Sequence, residues 1–217
     1  MPSGFKKTGL FGGALVCELP GKFADVSTIR EVPDNQEVYI DKDGFTSIIF
    51  DITQRVDAPG DGLERDGRAL TIHLEDLVGD DADTVKVWNT TETQFSYLDD
   101  DTPAYTLIAT QTPKRARRND GDGDGDDDDD DDDDHGRRAA ASAPDFTALI
   151  LTLVRFEKEK TDMLITINVP HIKGEYDEDE IDLAMGKQGE LIGDAVEYAA
   201  RIWSTFEVKS WRLFDEV

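Results

Sequence analysis

The sequence predicts an α+β fold: an antiparallel β-sheet of about six strands flanked by helices. Three observations carry this expectation. Strand-like runs rich in β-branched and aromatic residues dominate the chain, only two segments have helical periodicity, and the helices do not alternate with the strands.

In chain order, Leu10 to Leu19 reads as an opening strand held in the sheet, with its extended part at Ala14 to Leu19. Glu37 to Asp41, Ser47 to Arg55, Val85 to Asn89, Tyr105 to Gln111, Thr147 to Phe156 and Met163 to Val169 follow. The last two form the clearest hairpin. Glu157 to Asp162 is charged turn material, and Asn168-Val169-Pro170 is expected to end the second strand, because proline cannot donate to a ladder. Residues 63–77 are ambiguous: Leu70, Ile72 and Leu74 alternate like a strand, whereas Leu70, Leu74 and Leu77 fit a helix, which is favoured. Leu191, Ile192, Ala195, Val196, Ala199, Ile202, Trp203 and Phe206 recur at helical spacing with Glu190, Asp194, Glu197 and Arg201 mostly opposite, as in an amphipathic helix lying on a sheet. A final strand is expected within Val208 to Phe214.

At 217 residues the chain suits one ordinary domain. Lys plus Arg number 23 against 49 Asp plus Glu, so nucleic acid would meet a repulsive surface, and basic proteins are the favoured partners. Solubility alone is the plainer account of the same charge. A single cysteine, Cys17, excludes an internal disulfide, fits a reducing compartment and reads as strand core. Two glycines interrupt the apolar run from Leu10 to Cys17, so no secretory signal is expected, and no stretch approaches the roughly 18 to 20 apolar residues of a membrane helix.

The composition breaks at Lys114. Residues 114–143 hold twelve aspartates, all between Asp120 and Asp134, and six basic residues, too charged to bury apolar surface. They read as a disordered insertion, an overgrown hairpin loop within one globular domain made of 1–113 and 144–217. The insertion carries a net charge of minus six out of minus 26, so the other 187 residues still carry minus twenty. The folded part is acidic in its own right. Lys114, Arg115, Arg117 and Arg118 form a candidate nuclear localisation signal or a charge-balanced linker. Asp120 to Asp131 mimics a calcium loop without its flanking helices or its closing Glu, so only diffuse cation attraction is expected there.

Catalytic signatures are missing from the sequence. His73, His135 and His171 are scattered, no nucleophile elbow occurs, and Gly62 to Arg68 lacks the lysine and hydroxyl residue of a phosphate-binding loop. No metal site and no catalysis are therefore expected. Trp88, Trp203 and Trp211 could build a ligand cage, but sheet and helix packing is the favoured reading.

Five segments then carry a resemblance: Leu10-Phe11-Gly12-Gly13-Ala14, Asp25 to Tyr39 with its Val-Pro-Asp-Asn-Gln-Glu-Val string, Ser47 to Asp51, His73 to Leu77, and Thr161 to Pro170. In this order they resemble the Ran guanine-nucleotide-release factors, the Mog-type Ran-binding proteins. The resemblance implies an α/β/α sandwich of the kind shared with photosystem PsbP-like proteins. It also implies a monomeric, nuclear and in part cytoplasmic regulator of Ran that acts in nuclear import without a cofactor. Its partners would be Ran in the GTP or GDP form, with other Ran-binding proteins and import receptors. It further implies an acidic Ran-binding patch, carried here by Asp25, Asp34, Glu37 and Asp51, with Arg30 and Asn35 from the Asp25 to Tyr39 segment.

The residues supply a reason for that patch. Asp34 and Asn35 after Pro33 read as an exposed turn, and Glu37 and Asp51 would join them if strands 37–41 and 47–55 pair. Each carboxylate could equally be a solvated charge or a cap, Asp25 of a short helix through Ile29. Gln54 stands where the family commonly has a second acidic residue. The competing reading is an acidic chaperone for basic nuclear proteins such as histones, working through the aspartate tract.

Overall fold

The computed structural model describes residues 4–114 and 143–215. Strands β1 (Phe5–Leu10), β2 (Leu15–Pro20), β3 (Phe23–Asp25), β4 (Gln36–Asp41) and β5 (Ser47–Gln54) precede helix α1 (Leu63–Val78). Strands β6 (Val85–Glu92), β7 (Ala104–Gln111), β8 (Phe146–Phe156), β9 (Thr161–His171), β10 (Ile181–Asp182) and β11 (Lys187–Gln188) come next. Helix α2 (Gly189–Thr205) and β12 (Glu207–Val208) complete the order. The main sheet has seven antiparallel strands in the order β3-β4-β5-β9-β8-β7-β6. The strand beyond the six expected is β3, whose three residues are too few to show a period.

Strands β8 and β9 lie at the centre and are buried on both faces, which is why they read as continuous apolar runs. One face carries Ile48, Phe50, Ile150, Ile165 and Ile167, packed with Ile192, Ala195 and Ile202 of α2 and with Leu15 and Cys17 of β2. The other carries Leu107, Leu149, Leu151 and Leu164 under Ala69, Leu70 and Leu74 of α1. Helical periodicity therefore prevails over alternation at 63–77. Strands β7 and β8, on either side of 114–143, pair from Gln111 opposite Thr147 inward, the expected hairpin. None of the described helices is long and apolar enough to cross a membrane.

Three expectations are corrected. The opening strand sits outside the main sheet, since β2 pairs with β1 and β12 in a sheet of its own. Only Glu207–Val208 of the C-terminal segment is extended, and Trp211–Phe214 forms a 3-10 turn that seats Phe214 in the core. Proline also fails to stop β9, which runs through Pro170 to His171. The carbonyl of His171 accepts from Asp145 N–H on the β8 side, so the backbone of Pro170 faces the β5 side. Strand β5 begins at Ser47, opposite Asn168, and leaves no neighbour there to require a donor.

Candidate functional site

The turn after Pro33 exists as expected. Gln36 N–H donates to the Pro33 carbonyl at 2.9 Å, which puts Asp34 and Asn35 at an exposed corner. Asn35 extends the ladder by one rung. Its carbonyl accepts from Ile52 N–H at 2.9 Å, and its side-chain amide donates to the Ile52 carbonyl at 3.2 Å. The same amide donates to Asp51 Oδ1 at 2.8 Å, and Gln36 Nε2 donates to Asp51 Oδ2 at 3.0 Å. Both oxygens of Asp51 are thus held by neutral amides. Burial nevertheless raises its pKa, against the lowering effect of Gln36, Asn35 and the nearby His73.

Strands β4 and β5 do pair, but their register separates the acidic residues. Gln36 lies opposite Asp51, and Glu37 lies opposite Phe50. Directly opposed residues share a face and successive residues alternate, so Glu37 and Asp51 point to opposite sides of the sheet. Asp51 faces the α1 side. Glu37 faces the β2 and α2 side, where its Oε1 accepts from Phe11 N–H and its Oε2 accepts from Tyr39 Oη–H at 3.0 Å. Phe11 has a φ of 49°, a left-handed conformation rare for a non-glycine residue, in the turn it makes with Gly12 and Gly13. Glu37 therefore braces a strained turn, and the expectation that it joins Asp34 and Asp51 is corrected by the register.

Asp25 belongs with Glu37. It lies opposite Tyr39 on β3, its Oδ1 accepts from Ser27 N–H at 2.8 Å, and it caps the 3-10 turn Val26–Thr28. Burial raises the pKa of Glu37, and the charge of Asp25 adds to that rise against the donors Phe11 and Tyr39. Burial also pushes the Cys17 thiol up to about 12, with Glu37 and Glu18 contributing. Arg30 is exposed and makes no ion pair among the described residues.

The six residues thus divide into an outward set and an inward pair. Asn35 and Gln36 hold Asp51, Asp34 is exposed next to Asn35 in the same turn, Arg30 is exposed in the loop before it, and Asp25 and Glu37 lie on the other face of the sheet. The sequence reading missed Gln36, because only the strand register puts it opposite Asp51.

Of the basic string, Lys114 alone is described. Its Nζ lies 3.1 Å from Asp81 and 3.0 Å from Asp83, while Arg115, Arg117, Arg118, His135 and the calcium-like run lie outside the described residues. No group of three or more His, Cys, Asp or Glu able to hold a metal occurs among the described residues. The three tryptophans sit on different elements. Trp88 Nε1–H donates to Thr110 at 2.8 Å, Trp203 Nε1–H donates to Thr152 at 3.2 Å, and Trp211 packs on Phe156.

Comparison with known proteins identifies the family of the chain. A probable ran guanine nucleotide release factor of Dictyostelium discoideum is 29% identical over 174 residues, covering 77% of this chain and 75% of that protein. The nuclear import protein MOG1 of Saccharomyces cerevisiae is 41% identical over 83 residues, 33% of this chain and 36% of that one. The solved structure of the Saccharomyces cerevisiae Ran-binding protein Mog1p shares the fold, with a TM-score of 0.65 and 24% identity over 98% of this chain and 99% of that one. The family model described as Ran-interacting Mog1 protein matches residues 8–170, which takes in β2 to β8 and nearly all of β9. The chain belongs to the Mog1 family of Ran-interacting proteins.

Proposed function

We propose that this chain binds the small GTPase Ran and promotes release of its guanine nucleotide, in support of nuclear protein import. The observation that carries the reading is the state of Asp51. Its charge is partly dehydrated, its oxygens accept from the Asn35 and Gln36 amides, and it lies on a folded part of net charge minus twenty that also exposes Asp34 in the adjoining turn. A carboxylate in that state gains more from an arriving cation than a fully hydrated one does. Membership of the family and the names of its relatives support Ran as the partner.

The contact set is Asp34, Asn35, Gln36 and Asp51, with Arg30 at its edge. Binding basic residues of Ran there would favour a Ran conformation with weaker hold on nucleotide phosphates or magnesium, and release would follow from differential affinity for the two states. That role asks no covalent chemistry of this chain. The domain is formed by 1–113 with 144–217, the insertion 114–143 is dispensable for it, and the basic string from Lys114 serves nuclear entry.

Release of a labelled guanine nucleotide from purified Ran tests this. Asp34→Ala combined with Asp51→Asn is expected to lower stimulation about tenfold. Glu37→Gln, whose amide oxygen can still accept from Phe11 N–H while its NH2 can donate to Tyr39 Oη, should stimulate like wild type. Equal stimulation by the double variant would remove the assigned surface.

A further inference from the structure

Trp211 is the tryptophan whose indole is not enclosed. It is 47% exposed and lies at the mouth of a cleft of about 320 Å³, between the β8–β9 hairpin, the segment before β7 and the C-terminal turn. Its ring meets Phe156 edge to face at 5.3 Å, which fixes its orientation, and its Nε1–H makes no hydrogen bond among the described residues. Asp99, Asp101 and Glu159 line the cleft and make no side-chain hydrogen bond or ion pair among the described residues. Glu157 is already engaged by Arg55 and Arg65. Of the two basic lining residues, Lys158 makes no ion pair among the described residues, and Arg155 beneath is taken up by Asp66 and Asp162.

We infer that this cleft receives an arginine side chain from a basic segment of a partner protein. A planar guanidinium can lie on the indole face while its N–H groups reach carboxylates in its own plane. The surplus of unpaired carboxylates over Lys158 sets the sign of the occupant, and the flat, fixed aromatic wall selects a guanidinium over an ammonium. A half-exposed tryptophan beside charged groups is also the residue type that dominates interface energetics. From register, Asp51 lies about 14 Å from Phe156 in the plane of the sheet and on its other face, so the cleft is a contact separate from the proposed Ran surface.

The test needs neither Ran nor nucleotide. Indole N–H signals of the full chain, labelled with ¹⁵N, are followed while acetyl-Gly-Arg-Gly-amide is added, with the citrulline and lysine peptides as controls. Trp88 and Trp203, bonded internally, serve as references, and Trp211→Phe assigns the third signal. The expected result is a saturable shift of Trp211 alone, with the citrulline peptide and the Asp101→Asn, Glu159→Gln double variant binding about fivefold more weakly. Equal response to citrulline, equal response to lysine, an unaltered double variant, or parallel drift of all three indoles would each overturn the inference. Should Trp211→Phe fail to fold, the carboxylate variants, which alter only exposed or partly exposed side chains, still decide it.

Discussion

Replacing Arg155 by methionine should be among the most damaging single changes in this protein. Arg155 and Asp162 are fully buried, Asp66 is 2% exposed and His73 is 5% exposed. Arg155 Nη1 donates to Asp66 Oδ1 at 2.7 Å, Nε donates to Asp162 Oδ1 at 3.0 Å, and Nη2 donates to the Val56 carbonyl. Asp162 Oδ2 accepts from Val56 N–H at 2.9 Å and lies 2.9 Å from His73 Nε2. The cluster grips Val56 through both backbone groups and ties α1 to β8 and β9. Methionine keeps much of the stem volume and removes the guanidinium, leaving two buried carboxylates without it. Asp66 retains Arg65 and Asp162 retains His73. Removing one partner of a buried pair costs about 3–5 kcal/mol, a large part of the roughly 5–15 kcal/mol that holds an ordinary domain together.

Urea unfolding followed by tryptophan fluorescence measures this directly. Arg155→Lys restores the charge but not the fork, and should fall between wild type and Arg155→Met. A loss below about 1 kcal/mol for Arg155→Met at unchanged slope would refute the reasoning. Acid titration adds a second check. Burial alone would raise the pKa of Asp162, but His73, the Val56 N–H and Arg155 overcome it and hold the group below 3.8. Between that depressed value and 3.8 the unfolded chain binds more protons than the native one, so stability present above 3.8 is lost as pH falls through the native value. Arg155→Met should shrink that acid-side loss.

Glu37→Ala is expected to cost about 1.5–3 kcal/mol by freeing the Phe11 turn, while Glu37→Gln costs less. Because the native Glu37 pKa is raised above 4.5, wild-type stability should fall as pH rises through the window between the two values, and Glu37→Gln should lack that fall in the same urea titration. His171 is fully buried and stacked on Phe146, its Nε2 lacks a partner among the described residues, and burial holds its pKa below 6.5. Stability should therefore decline as pH falls from 6.5 toward the native value, and His171→Phe, which keeps the stack, should abolish that slope. Deleting 114–143 and closing the β7–β8 hairpin with a short turn should leave the thermal midpoint and Ran binding near wild type; loss of either would count against one domain with a dispensable insertion.

Much of the fold was legible because period and composition agree in its central elements. Strands β5, β7, β8 and β9 are dense in β-branched residues, and α2 keeps its apolar stripe for four turns. What escaped was set by tertiary contact. Strand β3 gains its identity only by pairing with β4, and Pro170 is tolerated only because β5 begins where it does. The buried cluster left a faint trace, a charge inside an apolar run at Leu153-Val154-Arg155-Phe156 and another at Thr161-Asp162-Met163. Its partners Asp66 and His73 lie about ninety positions away, and sequence spacing alone carries no signal at that distance.

The acidic site shows why residue type without register misleads. Asp25, Asp34, Glu37 and Asp51 look alike as carboxylates, yet a single step along β4 decides which face of the sheet a side chain takes. Glu37 also joins two of the resembling segments. The Leu10-Phe11-Gly12-Gly13-Ala14 turn puts Phe11 in a left-handed conformation, and the Glu37 carboxylate that accepts its N–H comes from the Val-Pro-Asp-Asn-Gln-Glu-Val string. Losing the carboxylate would leave a strained amide without its acceptor, while losing the turn would strand a half-buried charge. The two strings are the two sides of one contact. That contact gives Glu37 a structural reason to be acidic, whereas Asp34, exposed and without a side-chain partner among the described residues, has none there.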